Sequence, residues 1–130
     1  IKDYIENAKE TARKTGKAVS LTGRERLLPD INSSNQILKT AAERLAVNTP
    51  FQATAADIIK MEMINIDNWL TKHNSPARML LQIHDELVFE MPQSLIPSIQ
   101  EQVKKHMEGV FELKVPLTVK INVGKNWMEC

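Results

Sequence analysis

The feature that most constrains the fold is a change of hydrophobic period within residues 78–91. Before this segment apolar residues recur at helical spacing, whereas here they recur at every second position on either side of a charged triplet, His84-Asp85-Glu86. These alternating apolar residues are Leu81, Ile83, Leu87 and Phe89. A period of two places side chains on one face of a β-strand. The segment therefore predicts two strands joined by a charged turn.

Helical periodicity precedes and follows this hairpin. A first helix is predicted from Ile1 to a stop at Gly16, and a second begins behind Ser33–Gln36, which resembles a capping box. Thr49 and Pro50 are predicted to interrupt that helix and start a new one, because proline is favoured at a first helical position. A further helix is predicted over residues 95–110.

Two other segments have the pattern of strands. Residues 17–31 predict a short irregular hairpin with Gly23 in its turn, and residues 117–123 predict a strand that ends at Gly124. Together the elements predict an α+β fold, an antiparallel sheet with helices on one face. Its hairpin carries a charged tip.

Composition excludes little. Seventeen Lys and Arg residues against 16 Asp and Glu give a net charge of +1, so a nucleic-acid partner would have to be argued from individual residues. The single cysteine, Cys130, permits no intrachain disulfide, which is typical of a reducing compartment. No apolar run approaches the length of a membrane span, so no membrane partner is expected.

The charged turn breaks a local rule. Tight hairpin turns favour Asn-Gly or other glycine-containing pairs, whereas this turn has no glycine and two adjacent carboxylates, Asp85 and Glu86. A rule broken without visible compensation often marks a functional site. Mg²⁺ would compensate the charge, since it prefers carboxylate oxygens. A solvated acidic turn is the alternative interpretation on composition alone.

Five segments, in order along the chain, carry a family resemblance. They are Thr22–Asp30, Ala41–Arg44 with Asn48, Pro50–Asp57, Met79–Glu90, and the C-terminal pieces Val115–Leu117 and Gly124–Trp127. In this order they resemble family A (polymerase I-like) DNA polymerases, and Met79–Glu90 resembles the third polymerase motif. The resemblance implies that residues 1–130 are the C-terminal part of a polymerase palm domain, a single incomplete domain.

The chain also departs from the family pattern. Thr22, Glu25 and Leu27 stand where the family has Phe, Arg and Tyr, which weakens a phosphate-contact role for the first hairpin. Ala53 replaces a glycine of the family. The aspartate motif that supplies the second catalytic carboxylate and the triphosphate-binding helix are not in this sequence. The chain therefore resembles a piece of a longer enzyme, and we expect it to be inactive alone.

The resemblance implies a role for each matching residue. Asp85 would be a catalytic metal ligand for two Mg²⁺ ions, and Glu86 would support the same site. His84 would lie against the primer terminus. Arg44, Asn48 and Gln52, spaced by four residues, would face the DNA minor groove. Gln52 could instead cap a helix with Thr49, and Arg44 could form an ordinary surface ion pair.

The implied function is DNA-directed DNA synthesis, the transfer of nucleotides from dNTPs to a primer 3′ end. The partners would be primer–template DNA, dNTP and the remainder of the polymerase chain, in a bacterial or phage-like cytoplasmic setting. Replication and repair roles are both open. Three alternatives are a single-subunit RNA polymerase palm, a catalytically inactive nucleic-acid-binding module and a metal nuclease. Glu86 and the Gln-x-Thr-Ala-Ala-Asp segment favour the DNA polymerase over the RNA polymerase. The presence of Asp85 and Glu86 argues against an inactive module, and a metal nuclease would need more clustered carboxylates.

Overall fold

The computed structural model describes all 130 residues, which divide into two compact units, Ile1–Asp57 and Ile58–Cys130. The main elements are α1 (Lys2–Thr15), β1 (Lys17–Val19), β2 (Glu25–Leu27), α2 (Gln36–Lys72), β3 (Arg78–Ile83), β4 (Glu86–Glu90) and α3 (Ile96–Glu108). Three short 3₁₀ helices complete the chain, at Pro29–Asn32, Gln93–Leu95 and Trp127–Glu129. The predicted mixture of helices and antiparallel strands is confirmed, although the strands form two separate two-stranded sheets.

The first unit begins with α1, which ends at Gly16 as predicted. Gly16 adopts a left-handed conformation, with φ 72°, and its N–H bonds to the carbonyl of Ala12. This conformation carries no steric cost for glycine. The chain then forms the antiparallel β1–β2 pair, in which Lys17 faces Leu27. The predicted hairpin is thus present, with Gly23 at positive φ in its loop.

Small side chains form the core of this unit. The buried cluster consists of Ala12, Ala18, Leu28, Ile31, Ala42 and Ala46. Alanines from both α1 and α2 contribute to this cluster. The Glu43 carboxylate accepts a hydrogen bond from the Arg13 guanidinium at 2.7 Å. It also lies 3.6 Å from the Lys9 ammonium. The guanidinium, first by its hydrogen bond and then by its charge, lowers the pKa of Glu43.

The predicted break at Thr49-Pro50 is wrong. α2 runs without interruption for 37 residues and contains Pro50 in its interior. Thr49 caps nothing, since its buried hydroxyl has no hydrogen-bond partner. The start of α2 was predicted correctly, but Asn35 supplies the cap, its Oδ1 accepting the Ile37 N–H at 3.0 Å. Tertiary packing on both sides of Pro50 overrides the local preference of proline for a helix start.

The second unit is built around the C-terminal part of α2, α3 and one face of β4. Its buried cluster contains Ile59, Ile66, Leu70, Ala77, Ile99, Val103 and Met107. Leu87 and Phe89 pack against this cluster, as their two-residue spacing predicts. Trp69 packs there too, and its ring stacks on His73 with centroids 4.5 Å apart.

The predicted strand over residues 117–123 is not formed. Leu117, Val119 and Ile121 are half-buried and alternate with exposed neighbours, as expected for an extended segment. However, no other strand pairs with this segment, and the Val119 N–H bonds instead to the Glu108 carboxylate at 3.0 Å. An alternation of apolar and polar residues indicates which side chains are buried. It does not provide a second strand with which the segment could form hydrogen bonds. No helix combines the length and apolar character that a bilayer span requires.

One buried carboxyl group has no charged partner. Glu62, on α2 in the second unit, is 5% exposed, and burial raises its pKa from 4.5 to about 7. The folded chain therefore holds a proton on Glu62 that the unfolded chain releases between these two values. The stability that depends on this proton is lost as pH rises through the window.

We predict that Glu62→Gln removes part of the pH dependence of stability. The wild-type chain should lose on the order of 2–3 kcal/mol of unfolding free energy through this group between pH 5 and pH 8. Glu62→Gln keeps the neutral shape and should be the more stable chain at pH 8. Urea unfolding at both pH values measures the difference. Equal pH slopes for the two chains would contradict the raised pKa.

Candidate active site and nucleic-acid interface

The β3–β4 hairpin places His84 and Asp85 in a two-residue turn. Ile83 and Glu86 are the last paired residues, and the ladder is regular from there to Leu81. An irregularity follows between Met79 and Leu81. Leu87 and Phe89 anchor β4 to the core of the second unit, so the turn projects from a strand that packing holds in place.

The backbone of the turn is strained at His84. This residue has φ 54°, a left-handed conformation that favours glycine or asparagine. The Gln82 side chain supports the turn by donating from Nε2 to the His84 carbonyl oxygen at 2.5 Å. A non-glycine residue held at positive φ is often found where function requires its side chain.

The imidazole of His84 and the carboxylates of Asp85 and Glu86 are all exposed. Two adjacent carboxylates offer hard oxygen ligands of the kind that Mg²⁺ prefers. No group of three or more His, Cys, Asp or Glu side chains is assembled for a metal anywhere in the chain. The Asp85 and Glu86 carboxylates are the type of ligand that a metal site uses. A complete metal site would need additional ligands from elsewhere.

Arg44, Asn48 and Gln52 lie on the exposed side of α2, in the first unit. Because α2 is continuous through Pro50, their spacing of four keeps them along one side of a single helix. The helix-cap alternative for Gln52 is wrong, since no helix begins at Thr49. The ion-pair alternative for Arg44 is wrong too, as Arg44 takes part in none of the salt bridges. His84, Asp85 and Glu86 belong to the second unit.

Two polar residues of α2, to which no sequence pattern gave a role, hold the β1–β2 loop. The Thr54 hydroxyl accepts the Leu21 N–H at 2.9 Å and donates to the Pro50 carbonyl at 2.5 Å. The buried Asp57 carboxylate accepts hydrogen bonds from the Thr22 hydroxyl and the Arg24 guanidinium. We name these contacts the loop clasp. Both residues lie in the Pro50–Asp57 motif, but their partners in the loop are more than 30 positions away in sequence.

Known proteins resemble the chain over nearly its whole length. Residues 1–129 match the sequence profile of DNA polymerase family A. DNA polymerase I of Lactococcus lactis subsp. cremoris is 44% identical over 129 residues, which are 99% of this chain and 15% of the relative. DNA polymerase I of Pseudomonas aeruginosa is 44% identical over 126 residues, 97% of this chain and 14% of the relative.

A solved structure has the same fold. The POL domain of Pol1 from M. smegmatis, in complex with DNA primer–template and dNTP, superposes with a TM-score of 0.94 at 41% identity. The match covers 97% of this chain and 22% of that chain. The chain therefore belongs to DNA polymerase family A. It spans about 15% of the length of the L. lactis relative.

We predict that the same substitution has different effects on stability at two threonines of α2. Thr54→Val removes both hydrogen bonds of the hydroxyl and should destabilise the chain by about 1–2 kcal/mol. Thr49→Val removes a buried hydroxyl that has no partner, so it should be neutral or stabilising by about 1 kcal/mol. Urea unfolding of the two variants tests the pair. Equal losses in both would show that the contacts of Thr54 contribute nothing.

We predict that the chain is less stable with His84 in the turn than it would be with glycine at this position. His84→Gly should raise the unfolding free energy by up to about 1 kcal/mol, because glycine adopts positive φ without steric cost. His84→Val should lower it by about 1–2 kcal/mol, because a β-branched side chain fits this conformation poorly. Thermal unfolding at neutral pH ranks the three chains. A glycine variant less stable than the valine variant would contradict the strain.

Proposed function

We propose that the chain is the C-terminal part of the palm of a DNA-directed DNA polymerase and works within a longer polymerase chain. The proposal rests on one observation. The chain matches family A over residues 1–129, and its β3–β4 hairpin, which packs on the core, has the exposed residues His84 and Asp85 in its turn. The reaction is nucleotidyl transfer from a dNTP to a primer 3′ end. The relatives are bacterial proteins named DNA polymerase I, which supports a bacterial DNA polymerase. The cytoplasm is the proposed place of its action.

Asp85 is the proposed metal-ligating carboxylate, and Glu86 supports it from the first position of β4. When bound, two Mg²⁺ ions would neutralise charge on the oxygens that take part in the in-line displacement. Asp85 contributes an exposed carboxylate in the turn that joins β3 to β4, and β4 packs on the core through Leu87 and Phe89. The remaining ligands would come from dNTP phosphates and from a carboxylate elsewhere in the longer chain, so residues 1–130 alone would lack activity.

Arg44, Asn48, Gln52 and His84 are the proposed DNA contacts. The minor groove presents acceptors, purine N3 and pyrimidine O2, at similar positions in every correct base pair. Arginine, asparagine, glutamine and histidine all carry donors for such acceptors. Donors fixed at these positions respond to the shape of a base pair and not to its identity. A polymerase needs this property because it must extend every correct pair.

We predict that Asp85→Ala in the complete polymerase lowers nucleotide incorporation by several orders of magnitude. Primer–template affinity should change little, because phosphate contacts elsewhere dominate binding. Rapid-quench incorporation and a DNA-binding titration measure the two effects separately. Asp67→Ala, at an exposed aspartate of α2, is the matched control and should retain full activity. Near-normal turnover of Asp85→Ala would make Asp85 an ordinary turn residue.

We predict that the polymerase senses the minor groove at the primer terminus. Extension should slow about fivefold when the terminal purine has carbon in place of N3, the equivalent of one hydrogen bond of about 1 kcal/mol. Gln52→Ala, Arg44→Ala or His84→Ala should reduce this ratio, whereas Gln100→Ala on α3 should leave it unchanged. Single-turnover extension provides the measurement. A wild-type enzyme indifferent to N3 would contradict the groove contacts.

A further inference from the structure

We infer that Thr54 and Asp57 are positioning residues, which use the loop clasp to fix the direction in which α2 presents Gln52. The inference rests on the proposed function, since it concerns how a groove-contacting side chain is held. It assigns a role in substrate discrimination to two residues that touch no substrate.

The need for a clasp comes from Pro50. Proline has no backbone N–H, so the Ala46 carbonyl cannot receive the hydrogen bond that residue 50 would otherwise donate to it. The proline ring also crowds that carbonyl, and interior prolines bend helices. Gln52 lies two residues beyond this defect. The regular helix ladder therefore does not by itself fix the direction of the segment that carries Gln52.

Thr54 ties this segment to the loop. Its hydroxyl hydrogen goes to the Pro50 carbonyl at 2.5 Å, and its oxygen accepts the Leu21 N–H at 2.9 Å. The first bond spans the turn of α2 that contains Gln52, and the second connects that turn to the loop. Back-bonding of this type changes the local bend of a helix. The hydroxyl thus couples the geometry of the proline turn to the position of the loop.

Asp57 holds the same loop one helical turn further on. One carboxylate oxygen accepts the Thr22 hydroxyl and the other accepts the Arg24 guanidinium. The carboxylate is buried, while the Arg24 side chain remains about half exposed, at 49%. A buried carboxylate needs such partners, because an unpaired charge in the interior is costly. The docked position of the loop on this face of α2 is therefore strongly favoured.

The loop is itself a closed unit. The Ser20 N–H bonds to the Arg24 carbonyl at 2.9 Å, and the Gly23 N–H bonds to the Ser20 carbonyl at 3.0 Å. The Ser20 hydroxyl oxygen accepts the Arg24 N–H at 3.0 Å. This loop is closed by its own bonds and is attached to α2 at Thr54 and Asp57, beyond Pro50. Ala18 of the same hairpin packs in the cluster that contains Ala42 and Ala46, before Pro50, so the hairpin braces α2 from both sides of the proline turn.

A brace matters for Gln52 because a groove contact tolerates little error. Functional groups must be held within about 0.5 Å of their productive position, and a glutamine side chain has several rotatable bonds of its own. Any reorientation of α2 at residues 50–54 adds to that freedom. Loss of the brace should therefore weaken discrimination at the primer terminus more than it weakens the chemistry at Asp85.

The test compares Thr54→Val, Thr54→Ser and Thr49→Val in the complete polymerase. The readout is the ratio of single-turnover extension rates for a normal primer terminus and for one whose purine has carbon in place of N3. The wild type should show a ratio of about five, as one hydrogen bond implies. Thr54→Val should bring the ratio close to one. Thr54→Ser keeps the hydroxyl and Thr49→Val removes a partnerless one, so both should keep the wild-type ratio.

The outcomes separate the two levels of the argument. A wild-type ratio of one overturns the groove contact of Gln52 and the positioning role with it. A wild-type ratio of about five that Thr54→Val preserves overturns the positioning role alone. Loss of the ratio in both Thr54 variants also overturns it, since the hydroxyl that Thr54→Ser retains would then not be enough to position Gln52. Asp57→Asn, which keeps the shape and removes the charge, should lower the ratio in the same direction as Thr54→Val.

Discussion

The continuity of α2 through Pro50 is the constraint on which the rest of the structure depends. An interior proline costs a helix about 3 kcal/mol, yet this helix supplies buried residues to the cores of both units. Ala42 and Ala46 lie on the N-terminal side of the proline, and Ile59, Ile66 and Leu70 lie on the C-terminal side. Packing on either side, together with the hydrogen bonds of Thr54, keeps the helix intact.

Much of the fold could be predicted from the spacing of apolar residues, and the failures have physical causes. The two-residue period around His84 correctly predicted β3 and β4, and the helical period predicted α1 and α3. The predicted break at Pro50 was wrong because the local preference of proline does not take account of packing by residues far away in sequence. The strand over residues 117–123 failed because alternating burial does not supply a partner strand. The glycine-free turn marked the candidate site, but the roles of its residues came only from the family resemblance.

The candidate site combines rigidity with exposure. Leu87 and Phe89 hold β4 against the core. In the turn before β4 the backbone is strained at His84, and the His84 imidazole is exposed next to the Asp85 carboxylate. Thr54 and Asp57 were not singled out from the sequence because their hydrogen bonds reach a loop more than 30 residues earlier. Under the proposed function, both features follow one principle: the side chains that would meet the substrate are exposed, and the groups proposed to aim them are buried and paired.

The central claim is that Asp85 ligates a catalytic metal, and Asp85→Cys in the complete polymerase tests it most directly. A thiolate is a poor ligand for Mg²⁺ and a better one for softer ions such as Mn²⁺ and Cd²⁺. The account predicts that this variant loses incorporation with Mg²⁺ and regains a measurable part of it with Mn²⁺ or Cd²⁺, whereas Asp85→Ala regains less. Full activity of Asp85→Cys with Mg²⁺, or identical behaviour of both variants with every metal, would contradict a metal contact by Asp85.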